Sequence, residues 1–285
     1  MKNIKRVVIV RTLLGQMYAD YIAKEINLKG IGCGVVMLEN LERYLGEHNC
    51  HSKDTIIHSR TAGPGYTYKK LNNFEKRGYR VVNSPETIKL TSHKFNSCVY
   101  AIQHGIPCAE TIKVNKEDIV SRAKKKIKDW KKIIVKPITS QGQGEFCFKF
   151  DKDNFKEIKK TKKTPAQELI IQKFVDYKRL NRVIVVGFKA LEKAVFYDEP
   201  ERGWKCSVCL NPDIKHYKKP PRGLLKFAED VARKFNAEIT FIDIFTTNRG
   251  YVLNEINTAC SLTFHERLSR YNISKKIAEY LLSCF

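Results

Sequence analysis

Apolar positions along the chain switch between two periods. Val7–Val10 is a short apolar run, and after a turn containing Gly15 the segment Met17–Leu28 repeats apolar residues at helical spacing before Gly34–Leu38 becomes strand-like again. This is a βαβ opening. Thr55–His58 reads as another strand, Tyr66–Arg77 as a helix stopped at Gly78, and Tyr79–Asn83 as a strand ending in a turn, so residues 1–88 are expected to form a small N-terminal α/β domain. A helix over Ser92–His104 should close at Gly105 and Pro107, where glycine permits a left-handed cap and proline cannot continue the helix. Lys132–Pro137 and Glu145–Phe150 alternate like two hairpin strands, joined by Ile138-Thr-Ser-Gln-Gly-Gln-Gly144. Further strands are expected at Leu169–Val175, Arg182–Phe188, Ala190–Phe196, Ile239–Phe245 and Gly250–Ile256, and helices at Pro221–Phe235 and Ile273–Leu282. There is no internal repeat.

Composition narrows the class. With 285 residues, 42% of them hydrophobic and 11% aromatic, the chain can bury a core in more than one structural unit. No apolar run reaches the ~18 residues of a membrane span, and the start MKNIKRVVIV runs straight into strand-like sequence, so a cytoplasmic protein is expected. Nine cysteines, odd in number and scattered, argue for reduced thiols over a disulfide framework. Cys206 and Cys209 have the spacing of half a zinc site, but no second pair accompanies them. The formal net charge of +23 implies attraction to polyanions, whether an acidic peptide, an acidic protein or, less favoured, nucleic acid. Its lysines gather at Lys124–Lys132, Lys156–Lys163 and Lys215–Arg222, which solvated faces would explain equally well.

Two stretches carry candidate chemistry. In Thr139-Ser-Gln-Gly-Gln-Gly144, closely spaced glycines let backbone N–H groups approach an anion, and Lys136 on the preceding strand supplies compensating charge. Taken alone, the loop serves equally as a plain hairpin turn, since it lacks the ending of a P-loop. Asp243, Glu255 and Asn257 lie on two expected strands, with Glu255 and Asn257 two apart and so on one face. Three hard oxygen donors of this kind suit a magnesium ion that also holds phosphates, although an ordinary solvent-facing alternation fits them as well. His58 and His265 read as surface or packing residues. Arg60-Thr-Ala-Gly-Pro-Gly65 is a glycine-rich turn at a strand end, read as a connecting loop or as the rim of an acceptor entrance.

Six segments in order resemble the RimK-like branch of the ATP-grasp ligases, over almost the whole chain. Asp54-Thr-Ile-Ile-His-Ser-Arg60 with Arg80-Val-Val-Asn83 resembles the end of that family's first domain, and His93-Lys94 with Gly105-Ile-Pro107 resembles its "DK…GIP". Ile134-Val-Lys-Pro137 with Ser140-Gln-Gly-Gln-Gly144 is similar to "VKP…SQGKG", and Ile171-Gln-Lys-Phe-Val175 with Arg182-Val-Ile-Val-Val-Gly187 to "QEFI…DIRVFVVG". Ile242-Asp-Ile244 and Val252-Leu-Asn-Glu-Ile-Asn257 look like "VDI…VLEVN". The resemblance implies an α/β (α+β) ATP-grasp fold: an N-terminal domain (1–88), a central lobe with the glycine-rich loop (89–176) and a C-terminal lobe with the magnesium site (177–285).

It further implies ATP and Mg2+ (or Mn2+ in its place) as cofactors. Lys94, Lys136, Ser140, Gln141 and Gly142 would contact the phosphates. Gln172, Lys173, Phe174, Val175 and Asp176 would border the adenosine, with backbone groups of Lys173 to Val175 reading the adenine edge. Asp243, Glu255 and Asn257 would hold the metal. The family's "R-x-N" falls on Lys205-Cys206-Ser207, which makes Lys205 a candidate catalytic residue beside Arg182 and Ser207 a nucleotide contact. Arg182 would face the acyl phosphate or the acceptor carboxylate, or else pair with a carboxylate on the sheet. The family's ribose-contacting Asp falls on Leu180, so either Asp176 substitutes for it or the ribose is held loosely, and its "SSPGL", at the border of the acceptor site, is here Thr258-Ala-Cys-Ser-Leu262. The implied reaction is ADP-forming amide or peptide bond formation through an acyl phosphate. An amino acid, glutamate favoured, would join an acidic peptide, a carrier protein or a small carboxylate. Joining of another amine is the alternative within the class, and nucleic-acid binding on an inactive scaffold the alternative outside it; a homo-oligomer is compatible with either.

Overall fold

In a computed structural model of the chain, residues 5–11, 16–61, 65–139, 146–198, 204 and 214–285 are described below. The chain opens with β1 (Arg6–Arg11), α1 (Gln16–Asn27), β2 (Gly32–Met37), α2 (Leu41–Glu47), β3 (Thr55–Arg60), α3 (Tyr66–Lys76) and β4 (Arg80–Val82). The strands form a parallel sheet in the order β2-β1-β3-β4. Parallel strands need crossovers and two covered faces, and alternation along β1 and β3 supplies both. Val8, Val10 and Ile57 pack with Leu41, Leu71 and Phe74 on one side. Val7, Ile9 and Ile56 pack on the other with Ile22 and Ile26 of α1 and, from the far end of the chain, Ile277 and Leu281. At the carboxyl ends of the strands Arg11 lies in register with Arg60.

Next come α4 (Pro85–Thr91), α5 (Lys94–Gln103), β5 (Thr111–Asn115), α6 (Ile119–Trp130), β6 (Ile133–Pro137), β7 (Phe148–Phe150) and β8 (Glu168–Lys173). Their sheet runs β5-β8-β6-β7 with antiparallel pairing, so β6 and β7 are the hairpin that the alternation implied. Ile133, Val135, Leu169 and Ile171 face Ile119 and Ala123 of α6. Ile134, Lys136, Ile170 and Gln172, in register on β6 and β8, occupy the other face.

The remaining elements are β9 (Arg179–Val186), β10 (Lys189–Ala190), β11 (Val195–Asp198), β12 (Lys215–His216), α7 (Arg222–Lys234), β13 (Ile239–Thr247), β14 (Gly250–Asn257), α8 (Thr263–Ser269) and α9 (Ile273–Ser283). The third sheet follows the path β12-β11-β9-β13-β14, with β10 paired to β9. Val183, Val185, Ile242, Ile244, Leu253 and Ile256 point to one face, where Leu224, Ala228, Val231 and Phe235 of α7 cover them. The opposite face is apolar at one end, where Ile184, Ile239 and Phe241 join the core beneath the first sheet. Farther along, the same face turns polar. The fold is mixed α/β. No helix among the described residues is long and apolar enough to cross a membrane.

The strand expected over Ala190–Phe196 is divided between β10 and β11, with 191–194 in no strand, and two further elements depart from the sequence expectation. The helix expected from Ser92 starts at Lys94, because His93 is extended and its ring accepts a hydrogen bond from the Asn96 backbone N–H as an N-cap. The lysine-rich stretch 124–132 is mostly α6, whose apolar positions Ile119, Ala123 and Ile127 recur every four residues under a basic outer face.

Candidate functional site

Strand register brings the acidic residues together. Asp243 pairs with Glu255 and Phe241 with Asn257, and a bulge between Asp243 and Ile244 resets the ladder, leaving Asp243, Glu255 and Asn257 on one face. Arg182 sits opposite Asp243 on β9, so it shares that face. Its Nε donates to Asp243 Oδ1 at 2.7 Å and its Nη2 to Oδ2 at 2.8 Å, a bidentate pair in which both side chains are largely buried, 19% and 8% exposed. Burial would lower the Arg182 pKa, but the Asp243 carboxylate outweighs it and holds the guanidinium well above its ordinary value. Of the two readings of Arg182, the structure shows the pairing on the sheet.

Lys94 opens α5, and its backbone N–H donates to the Ile138 carbonyl at 2.9 Å, which ties the helix start to the end of β6. Its Nζ lies 2.9 Å from Glu255 Oε1. Lys136, on the open face of β6, lines a small cleft together with Lys94, Glu255, Cys98 and Cys108. Burial would raise the Glu255 pKa, but the charges of Lys94 and Lys136, with Arg182 behind them, overcome it and hold the carboxyl below its usual value of 4.5. A depressed folded-state pKa stabilises the fold above the unfolded value, and this stabilisation is lost as pH falls through the folded value. Glu255→Gln should therefore narrow the stability gap to wild type below about pH 4 and leave it constant above about pH 6. Urea midpoints measured across that range check it.

The donor set fits a hard divalent cation. Glu255 and Asp243 each bring two carboxylate oxygens, each of which can accept more than one bond, and the Asn257 carboxamide carries no side-chain hydrogen bond among the described residues. Both carboxylates already have a cation beside them, so charge at the site is balanced in pairs.

Other expected contacts fall less simply. Gln172 is buried, and its Nε2 donates to Thr111 Oγ1 at 2.9 Å and to Cys98 Sγ at 3.4 Å, so its side chain is committed to holding β8 against β5 and α5. The Lys173 N–H donates to the Glu110 carbonyl and the Phe174 N–H to the Lys132 carbonyl, so of these three only the Val175 N–H has no backbone acceptor among the described residues. Lys173 Nζ pairs with Glu110 at 2.7 Å. The exposed Asp176 pairs with Lys132 at 3.1 Å, and Leu180 is packed with Tyr177, Val195 and Tyr197. Phe174 sits edge-on to Trp204 and beneath Lys149. Ser140, Gln141, Gly142, Lys205, Cys206, Ser207 and Cys209 lie outside the described residues.

Two cysteines join this region that the motif reading did not assign to it, Cys98 and Cys108, together with Cys260 from the 258–262 motif segment. Cys98 and Cys108 hydrogen-bond to each other; donation from Cys108, with Lys136 nearby, lowers the Cys98 thiol pKa and raises that of Cys108. Cys260 has its thiol pKa pushed up to about 11 by burial, among the charges of Arg182, Asp243, Arg60 and Glu255. Cys98 and Cys108 have no sequence signature, because what places them is packing between elements, whereas Cys260 belongs to the 258–262 motif segment. His58 and His265 are buried packing residues, each held neutral with a pKa lowered to about 3 by burial.

Comparison with known proteins agrees with this architecture. Residues 220–281 match the RimK-like ATP-grasp domain. Coenzyme gamma-F420-2:alpha-L-glutamate ligase of Methanocaldococcus jannaschii is 25% identical over 276 residues, 92% of each chain. Among solved structures, the RimK domain protein ATP-grasp from Sphaerobacter thermophilus superposes with a TM-score of 0.72 at 14% identity, covering 98% of this chain and 99% of that one. The ATP-grasp ligase PsnB, complexed with a phosphomimetic variant of its minimal precursor, Mg and ADP, superposes with a TM-score of 0.71 at 13% identity over 99% of both chains. The whole chain thus has the ATP-grasp fold, with a RimK-like ATP-grasp domain at 220–281.

Proposed function

We propose that this enzyme, an ATP-grasp ligase with a RimK-like domain, joins an amino acid, glutamate favoured, to the carboxylate of an acidic peptide or small acid through an acyl phosphate. The observation that carries the reading is the convergence of Arg182, Asp243 and Glu255, on one face of the third sheet, with Lys94 of α5 and Lys136 of β6.

The residues act on charge. Lys94 and Lys136, which line one cleft, take the phosphates of ATP in this reading and neutralise the charge that builds on the γ-phosphoryl oxygens as the acid's carboxylate attacks phosphorus and the bond to ADP breaks. Arg182, fixed by Asp243, keeps a permanent positive charge beside that centre. Glu255 and Asn257, with Asp243 behind them, would hold Mg2+. When bound, that ion would add Lewis-acid neutralisation of the phosphate oxygens. The amine of the second substrate then attacks the acyl carbon, phosphate leaves, and the amine's proton passes to solvent or to phosphate. Lobes that keep water off the acyl phosphate favour the amide over hydrolysis. The net charge of +23 draws anionic substrates to the chain.

The test is the product set. ADP and phosphate should form only when acid and amine are both supplied, and Lys136→Met should weaken MgADP binding about tenfold, in line with ~1.4 kcal/mol for one charge-assisted contact. AMP and pyrophosphate as products would refute the acyl-phosphate route.

A further inference from the structure

Arg60 ends β3 at the carboxyl edge of the parallel sheet, beside Arg11 in register and on the face turned to the C-terminal sheet. Its side chain is almost wholly enclosed, at 4% exposure. Nη2 donates to the Cys260 carbonyl, and the guanidinium lies 5.9 Å from the centre of the Phe241 ring. Nη1 is buried and has no hydrogen-bond partner among the described residues. Arg182 is matched by Asp243 and Lys94 by Glu255, but no carboxylate among the described residues pairs with Arg60. A buried guanidinium lacking a counter-ion is costly to keep, and burial lowers its pKa to about 10. A second buried atom on the same face is also unsatisfied. His58 uses Nδ1 on the Val82 carbonyl at 2.8 Å and leaves Nε2 bare.

The position of this guanidinium relative to the reacting centre is set by register. Phe241, under Arg60, is two residues before Asp243 on the same face, roughly 7 Å along the strand at ~3.4 Å per residue. Arg60 donates to the Cys260 carbonyl, so the 258–262 segment lies against it, and the charge of Arg182 also reaches the Cys260 thiol. The carboxylate to be phosphorylated belongs at the Lys94, Lys136 and Glu255 end, so an anion at Arg60 is a different group.

We propose that Arg60 receives a second anionic group of the acid substrate, a carboxylate or a phosphate set back from the carboxylate that reacts, and so selects acids carrying two negative charges. This rests on the ligase reading above. An anion there supplies the missing counter-ion and an acceptor for Nη1, and the neutral His58 offers an acceptor for a neighbouring N–H or O–H.

Titration calorimetry on the full chain with MgADP tests it, using γ-glutamylglutamate, its monoamides and inorganic phosphate as probes against wild type, Arg60→Gln and Arg60→Lys. Wild type should bind the dipeptide or phosphate at least tenfold tighter than Arg60→Gln, with Arg60→Lys between them. If a carboxylate is the ligand, amidating one carboxylate of the dipeptide costs wild type about tenfold and Arg60→Gln less than twofold. If phosphate is the ligand, phosphate binds and the dipeptide shows no such contrast. Arg60→Gln should melt no lower than wild type, because it removes an unmatched buried charge. A lower Tm, or equal binding of every probe by wild type and Arg60→Gln, would overturn the proposal. MgADP affinity in the same samples reports on the nucleotide end alone, so its loss in wild type would count against the ligase reading and not against Arg60.

Discussion

Glu255→Gln should lower ADP release by about 10²–10³-fold, the usual consequence of deleting one preorganised electrostatic partner at a reacting centre. The substitution keeps the side chain's size and removes its charge. Lys94, 2.9 Å away, then loses its carboxylate, and a cation at the site loses a ligand in the same step. The fold should survive, since Glu255 is partly exposed and lies outside the apolar clusters. Steady-state turnover and MgADP affinity check it together. Activity within tenfold of wild type would remove Glu255 from the reacting centre.

Asp243→Ala should have the largest effect on stability, about 3–5 kcal/mol, because it strands the buried Arg182 guanidinium without its bidentate partner. Replacing the pair together, Arg182→Met with Asp243→Leu, should recover most of that loss, since no uncompensated charge remains. The double variant should stay inactive. Urea unfolding of the three variants separates these outcomes, and a loss under about 1 kcal/mol for Asp243→Ala would mean that Arg182 finds solvent or another acceptor.

Much of this arrangement was written in local pattern. The hairpin of β6 and β7, the shared face of Glu255 and Asn257 and the capped end of α5 at Gly105 follow from alternation and glycine placement, which need no knowledge of the partner strand. Helix α6 also had its signal, in Ile119, Ala123 and Ile127, but a run of lysines hid the apolar stripe. Helix α4 had one too, since Ser84 caps it by accepting from the Thr87 N–H and Pro85 stands at its first turn. Neither helix needed tertiary information.

The ion pairs were of another kind. Arg182 meets Asp243 across 61 residues, and Lys94 meets Glu255 between a helix start and a strand. Register sets the first pairing and lobe packing the second, and no local period reports either. The same holds for Gln172, which read as a nucleotide contact by its place in a motif but spends its amide on Thr111 and Cys98. Arg60 stood at a legible strand end. Only its burial against Phe241, with one nitrogen unmatched, distinguishes it from an ordinary loop residue.

A crystal structure with Mg2+ and a non-hydrolysable ATP analogue tests the central claim most directly. The account expects Lys94 and Lys136 on phosphate oxygens, and Glu255 and Asn257 within ~2.1 Å of the metal, while Arg182 stays locked to Asp243. A nucleotide bound elsewhere, or one bound here with the Lys94–Glu255 pair intact and no metal on Glu255, would contradict it.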